Sequence, residues 1–361
     1  MWSCRTFATP GRCWKRSSKL ERMNADRFDT ITQQYQRLRV AIVGDFCLDR
    51  YLEIDPTIQE TSIETGLPVY NVTNVRAQPG GAGTVLNNLV ALGVGQIFPV
   101  GFAGDDGEGY ELRWSMAEMA GVKLDYFIQT RTRQTFTYCK PLIIEGGKPP
   151  RELNRLDKKN WSPTPLAIAE QLSANVLAVA GRVDALVLLG QEDQQATGVL
   201  TPRVLAALEA VCRQNAQQLM LADSRRTLRE YPPAVFKMNA SELSVLTGVA
   251  VSAKVPEMAK AALTLAQHNR KPVFVTLSER GLMGVSPDGQ MEHLPALPVR
   301  GQIDIVGAGD AVSANLATAL AVGASLREAI ELANAAGSIV IHQLGTTGTA
   351  SVEQLRQTLI Q

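Results

Sequence analysis

The feature that most constrains this 361-residue chain is an alternation that begins near residue 39 and persists toward its end. Short apolar runs rich in β-branched residues are RVAIVGD (39–45), IFPVG (97–101), ALVLLG (185–190), LMLAD (219–223) and VFVTL (273–277). Between them lie stretches whose apolar residues recur at helical spacing, over 82–92, 111–119, 202–213 and 258–267. A strand that is apolar at consecutive positions is buried on both faces, which a parallel sheet covered by helices provides. Strand and helix in alternation then imply right-handed crossovers, so the expected fold is α/β, a doubly wound sheet between helical layers. Ligands in such sheets bind beyond the carboxyl ends of the strands, so function is sought just after each run.

Two segments break the alternation. Residues 68–77 (PVYNVTNVRA) and 134–144 (QTFTYCKPLII) are rich in β-branched and aromatic residues with partial period-two character. Each interrupts the pattern just after a main-sheet element. They are therefore expected to pair into a small β-flap over one end of the sheet, with lid strands near 52–78 and 133–157. No internal repeat or low-complexity linker divides the remainder, and 38–361 reads as one domain. Residues 1–22 are basic, lack Asp and precede Met23; an early start assignment or a transit-like leader fits them.

Composition excludes several classes. Lys plus Arg is 36 and Asp plus Glu is 35, a balance that argues against a strongly basic nucleic-acid binder and an acidic disordered chain. The five cysteines (Cys4, Cys13, Cys47, Cys139, Cys212) are odd in number and scattered, without CxxC pairs or histidines at metal-ligand spacing. Reduced thiols and a cytoplasmic location are expected. The most apolar stretch, 311–326, is short of a bilayer span and carries Ser313, Asn315, Thr318 and Ser325, so no membrane segment is expected.

The sharpest motif is DIVGAGDA (304–311), followed by a small-residue helical run over 312–322. Gly307, Ala308 and Gly309 can bring bare backbone N–H groups to a helix start, where unpaired donors and the dipole favour a phosphate or a developing anion. Asp310 follows in the first turn, placed to accept a proton from an attacking hydroxyl. The same residues also suit a glycine-rich turn with Asp310 as a dipole partner or cap. The GxxxxGK[ST] spacing of a P-loop is absent, and a dinucleotide turn would follow the first strand rather than lie near the C-terminus. In QPGGAGTVLNNLVALG (78–93), Gly80, Gly81 and Gly83 open an amphipathic helix and permit close approach of a polar ligand. Gly44-Asp45, with Asp49 and Arg50, places carboxylates past a strand end, suited to vicinal hydroxyls or to turn chemistry. His268, His293 and His342 are isolated and read as surface or packed residues. Ser224, Arg225 and Arg226 suit nucleotide phosphates or a solvated turn.

In this order VGDFCLDRY, PGGAGTVLNNLVALG, NRLD, NASE, DIVGAGD and ANAAGSIVIHQLGTTG resemble the ribokinase-like (PfkB) carbohydrate kinases, from about Arg39 onward. Within that family they are most similar to the kinase domain that phosphorylates D-glycero-β-D-manno-heptose 7-phosphate at its anomeric hydroxyl. The resemblance implies a ribokinase-like three-layer α/β/α sheet with a β-flap lid, and ATP- and magnesium-dependent phosphoryl transfer to a sugar or sugar-phosphate hydroxyl. It makes Asp310 the catalytic base and the Gly307, Ala308 and Gly309 amides the anion hole. Asn239 and Glu242 would organise magnesium and its water around the nucleotide phosphates, although those two residues by themselves read as a helix cap and capping box. Thr276, Ser278 and Gly281 match the stretch near the phosphates, with glycine common in the family at the Ser278 position. Asn334 and Gly337 match the adenine-pocket helix, and Asp304 a site for a monovalent cation, usually potassium. Asp45, Asp49, Gly80 and Gly81 match acceptor-binding positions, and Arg155 with Asp157 a segment returning from the flap.

The chain departs from the family at Thr84, where an asparagine commonly contacts the sugar. It departs again at 191–195 (QEDQQ), where the heptose-phosphate kinases carry a lysine-containing run. A nucleoside or fructose-type kinase of the same fold, and a sugar or nucleotide sensor without turnover, are the alternatives these departures motivate. The expected partner is a small-molecule sugar or sugar phosphate, with the lid edge a candidate homodimer contact.

Overall fold

The computed structural model describes residues 22–192 and 194–360. The reading of residues 1–22 thus lies, Arg22 excepted, outside the described residues, as do Cys4, Cys13 and Asp193. In chain order the strands are β1 (Arg39–Gly44), β2 (Phe46–Thr61), β3 (Pro68–Gly81), β4 (Gln96–Gly104), β5 (Phe127–Thr130), β6 (Phe136–Ile143) and β7 (Arg151–Glu152). They continue with β8 (Leu156–Lys158), β9 (Ala185–Gly190), β10 (Leu219–Ser224), β11 (Val235–Asn239), β12 (Val273–Thr276), β13 (Leu282–Val285) and β14 (Met291–Leu294).

The main sheet runs β14-β13-β12-β11-β10-β9-β1-β4-β5. It is parallel from β12 to β5, and β13 and β14 close one edge antiparallel. On β1, Val40 and Ile42 join one buried cluster and Ala41 and Val43 the other, because successive side chains leave a strand on opposite faces. Helices Ala82–Ala91, Ala308–Ala321 and Leu326–Val340 contribute to the first cluster, and Leu166–Ala180, Pro202–Gln214 and Val255–Asn269 to the second. This is the expected three-layer α/β/α arrangement. The chain leaves β1 for β4 and β5 on one side, then returns to β9 on the other. Strand order therefore reverses at β1, where a crevice opens at the carboxyl ends.

The second sheet runs β3-β2-β6-β7, with β8 paired to β6. Lid strands expected near 52–78 and 133–157 occupy Phe46–Gly81 and Phe136–Lys158. The earlier start has a physical cause: Phe46 and Leu48 are buried and β2 pairs with both β3 and β6 from Cys47 onward, so tertiary pairing continues the chain as a strand. Asp45 is thus the hinge residue between the two sheets. Asp49 and Arg50 belong to the lid itself rather than to a turn.

The lid is tied to helix Gly107–Ala117. Arg50 pairs with Glu111, and Lys158 Nζ lies 2.9 Å from Asp106 Oδ2 and 3.0 Å from Glu108 Oε2. Asp106 caps that helix through Gly109 N–H at 2.8 Å and accepts from Thr135 Oγ1 at 2.6 Å. Burial works to raise its pKa, but the Thr135 and Lys158 hydrogen bonds outweigh it and hold the carboxyl at about 2. Among the described residues no helix is long and apolar enough to cross a membrane.

Candidate active site

Helix Ala308–Ala321 starts from Gly307, whose φ of +82° is a left-handed conformation that favours glycine. A Cβ on Gly307 would come within 2.7 Å of Thr347 Cγ2 and 3.5 Å of Thr84 Cγ2, so the turn is pressed between the start of helix Ala82–Ala91 and the loop near residue 347. The Ala308 N–H, expected from the sequence to be bare, donates to the Ile305 carbonyl at 3.3 Å. This contact tightens the turn and occupies the Ala308 N–H.

Asp310 stands in the first turn of this helix. Burial pushes its carboxyl up to about 7, the Asp223 carboxylate adds to the rise, and Lys237 and Arg225 oppose it. A carboxyl titrating near neutrality is suited to take a proton and give it up again. Beneath it Lys237 Nζ lies 2.7 Å from Asp223 Oδ2, which also accepts from Ser313 Oγ at 3.0 Å. Lys237 is buried, and a Cβ on Gly309 would sit 3.0 Å from its ammonium. Glycine at 309 therefore lets a positive charge approach the helix start from below. Asp223, Lys237 and Ser313 were not singled out from the sequence. The available signal was one lysine between the apolar residues Phe236 and Met238.

On the acceptor side, Asp45 is buried where β1 passes into the lid. Its carboxylate accepts from Gln191 N–H at 2.9 Å and Val199 N–H at 2.6 Å. It lines a small pocket with Cys47, Phe136, Tyr138, Trp161 and Glu192. Burial, reinforced by the Asp45 carboxylate, pushes the Glu192 carboxyl up to about 8. This group stands in the segment where the expected lysine is missing. Asp49 accepts from Thr347 Oγ1 at 3.2 Å and lies 3.6 Å from Lys140 Nζ. Gly80 and Gly81 end β3, and Gly81 is at the same time the N-cap of helix Ala82–Ala91. A Cβ on Gly80 would meet the Asp49 carboxyl at 2.6 Å, and Gly81 has φ +59°. Thr84 is buried beside Gly307, so this departure from the family pattern lies within the site. Arg155 is exposed, pairs with Asp157 at 2.7 Å and lies 5.0 Å over the Tyr138 ring, at the rim of the pocket.

At the ends of β10 and β11, Ser224, Arg225, Arg226, Asn239 and Glu242 line an open cleft. Asn239 and Glu242 form the reciprocal capping box, with Asn239 Oδ1 accepting from Glu242 N–H at 2.9 Å and Glu242 Oε2 from Asn239 N–H at 2.7 Å. Their structural role is thus realised while both side chains still face the cleft. Burial raises the Glu242 pKa, the Asp223 carboxylate adds to it, and the Asn239 N–H, Lys237 and Arg225 pull against them. Ser278 adopts φ +52°, a left-handed backbone that accounts for glycine as the residue expected there. Thr276 ends β12, and Gly281 has φ +89° with its missing Cβ 2.0 Å from the Leu294 carbonyl.

Asn334 donates to the Pro295 carbonyl at 2.9 Å, and Gly337 packs helix Leu326–Val340 on Val312. Asp304 Oδ1 accepts from Val306 N–H at 3.0 Å. His293 and His342 are packed, their ring nitrogens held by the Arg280 and Ser338 carbonyls at 2.8 and 2.6 Å.

Among the described residues no group of three His, Cys, Asp or Glu side chains could hold a metal. What fits the open cleft instead is a divalent ion carried largely by phosphate oxygens and water, with Glu242 and Asn239 nearby.

An α/β sheet with a lid, a pocket and a cleft at its strand ends, and a half-buried carboxyl in the first turn of a glycine-started helix, is an arrangement suited to phosphoryl transfer to a small alcohol. Comparison with known proteins specifies the class further. The model of the pfkB family carbohydrate kinases matches residues 39–353. The bifunctional protein HldE of Bradyrhizobium sp. (strain ORS 278) is 31% identical over 92% of this chain and 66% of its own length. That of Rhodospirillum rubrum is 32% identical over 90% and 62%. The chain thus spans somewhat less than two thirds of the curated relatives it matches. Among solved structures, Arabidopsis thaliana ribokinase complexed with ribose and ATP superposes with a TM-score of 0.64 at 19% identity, covering 89% of this chain and 98% of that one. Escherichia coli phosphofructokinase-2 in complex with substrates and products gives 0.69 at 20% identity, with the same coverage. The fold is ribokinase-like. The chain belongs to the pfkB family of carbohydrate kinases, phosphotransferases with an alcohol group as acceptor, which implies ATP and usually magnesium.

Proposed function

We propose that this kinase transfers the ATP γ-phosphoryl group to a sugar or sugar-phosphate hydroxyl held between Asp310 and the cleft formed by Arg225, Asn239 and Glu242. D-glycero-β-D-manno-heptose 7-phosphate is the first acceptor to test. The observation that carries this reading is Asp310 in the first turn of the helix that starts at Gly307, with the Lys237 ammonium close to Gly309 and the Asp310 carboxyl raised to about 7. Asp310 takes the hydroxyl proton as the oxygen attacks phosphorus. The Gly307 and Gly309 amides, the helix dipole and buried Lys237 offset the charge that gathers on the transferring group. Magnesium, when bound, neutralises phosphate charge; Glu242 and Asn239 are the residues to hold its water shell, and Asp304 is the candidate ligand for a potassium ion.

Asp45, Asp49, Gly80, Gly81 and Thr84 orient the acceptor, with Arg155 at the rim. The lid excludes water that would otherwise hydrolyse ATP. Residues 38–361 form the kinase domain, a cytoplasmic location is expected, and the lid is the candidate contact for a homodimer. Support for a heptose phosphate comes from the HldE relatives.

The test is coupled ADP release over heptose phosphates, hexoses, pentoses and nucleosides, with magnesium and potassium present. Turnover with one sugar class confirms the reading and selects the acceptor. Binding of ATP and sugar without ADP formation replaces it with a sensor.

A further inference from the structure

Lys140 is a buried cation that the proposed transfer does not use. It lies on β6 opposite Tyr51 of β2 and is 8% exposed. Its ammonium donates to Tyr51 Oη at 3.3 Å, sits 4.8 Å from the centre of that ring, and is 3.6 Å from Asp49 Oδ1. Tyr51 Oη is 3.3 Å from Thr347 Oγ1, which donates to Asp49 Oδ2 at 3.2 Å. An ammonium has only protons to give and a carboxylate only lone pairs, and each hydroxyl between them has one proton. The direction is therefore forced: Lys140 donates to Tyr51, Tyr51 to Thr347, and Thr347 to Asp49, whose second oxygen faces Lys140 again.

This hydrogen-bond chain, closed by the Lys140–Asp49 ion pair, leaves each Asp49 oxygen able to accept one more bond. A Cβ at Gly80 would press on the Asp49 carboxyl at 2.6 Å, so the ring holds that group flat against β3. Thr347 also abuts Gly307, so the ring joins two lid strands to the turn beneath the transferring phosphoryl group.

We propose that Lys140, Tyr51 and Thr347 are positioning residues for the phosphoryl acceptor, acting through a one-way hydrogen-bond chain, closed into a ring by the Lys140–Asp49 ion pair, that aims the Asp49 carboxylate and locks the lid to the Gly307 turn. This rests on the reading of Asp49 as an acceptor-binding group. Burial opposes the Lys140 charge, but the Asp49 carboxylate and Tyr51 outweigh it and raise its pKa, so Lys140 stays charged through the neutral range.

The test measures ADP release with D-glycero-β-D-manno-heptose 7-phosphate and magnesium ATP for wild type, Thr347→Val, Thr347→Ser, Lys140→Met and Asp49→Asn. Valine keeps the shape of threonine and removes the relayed proton. It is expected to raise acceptor KM about tenfold, the worth of one hydrogen bond to a charged group, with ATP KM changed by less than about twofold. Serine restores the wild-type value, and Lys140→Met raises acceptor KM further. Acceptor KM unchanged in Thr347→Val, or both KM values raised together without rescue by serine, overturns the ring. Unchanged acceptor KM in Asp49→Asn overturns instead the reading of Asp49 beneath it, and no turnover of this acceptor by wild type overturns both.

Discussion

Replacing Asp310 by Asn removes the base while keeping its size and most of its contacts. A positioned general base is worth about 10² to 10⁴ in rate, so kcat should fall by that factor while ATP binding, measured by calorimetry, stays within a few-fold. The wild-type pH profile follows from the same group. With the carboxyl titrating at about 7, the ionised, proton-accepting fraction is roughly 9% at pH 6 and 91% at pH 8, so turnover should rise about tenfold between them. Stability runs the other way. A carboxyl whose pKa rises on folding from 3.8 to about 7 disfavours the folded state once pH exceeds the unfolded value. The cost reaches ~4 kcal/mol above pH 7 as an upper bound. Asp310→Asn should therefore unfold several degrees higher than wild type at pH 8 and at about the same temperature at pH 4. Near-normal turnover in the variant, or a flat wild-type profile from pH 6 to 8, would refute this role.

Other outcomes can be checked with the same materials. Lys237→Met strands the Asp223 carboxylate in the interior and should cost about 3–5 kcal/mol in urea unfolding, much of it recovered in Asp223→Leu with Lys237→Met. Gly307→Ala forces a side chain into a left-handed backbone against Thr347 and should lower stability by about 1–3 kcal/mol and kcat by about tenfold or more. Asp106, held at about 2, contributes stability that is present above its unfolded pKa of 3.8 and lost as pH falls through 2. Asp106→Asn should accordingly weaken the protein by about 2 kcal/mol at pH 7 and by little near pH 2, measured by chemical denaturation.

What could be read before folding follows the range of the physics involved. β9 matches its sequence reading at both ends because an unbroken apolar run between polar segments leaves little freedom. The helix expected over 111–119 begins at Gly107 because Asp106 caps two glycines whose own propensity is poor. The start of β2 was hidden because Phe46 to Tyr51 gains its strand conformation from β3 and β6, not from local preference. Asp310, Gly307, Asn239 and Glu242 were visible as motifs. Lys237 was not, since its partner lies 14 residues away, and Thr347 reaches Asp49 across 298 residues. Such pairs exist only once the sheets have assembled.

The central claim is most directly tested by a crystal structure with a non-hydrolysable ATP analogue, magnesium and the acceptor chosen by the turnover screen. The account predicts the γ-phosphate at the Gly307–Gly309 turn, with the acceptor hydroxyl about 3 Å from an Asp310 oxygen. A triphosphate bound away from that turn, or an acceptor hydroxyl out of reach of Asp310, would contradict it.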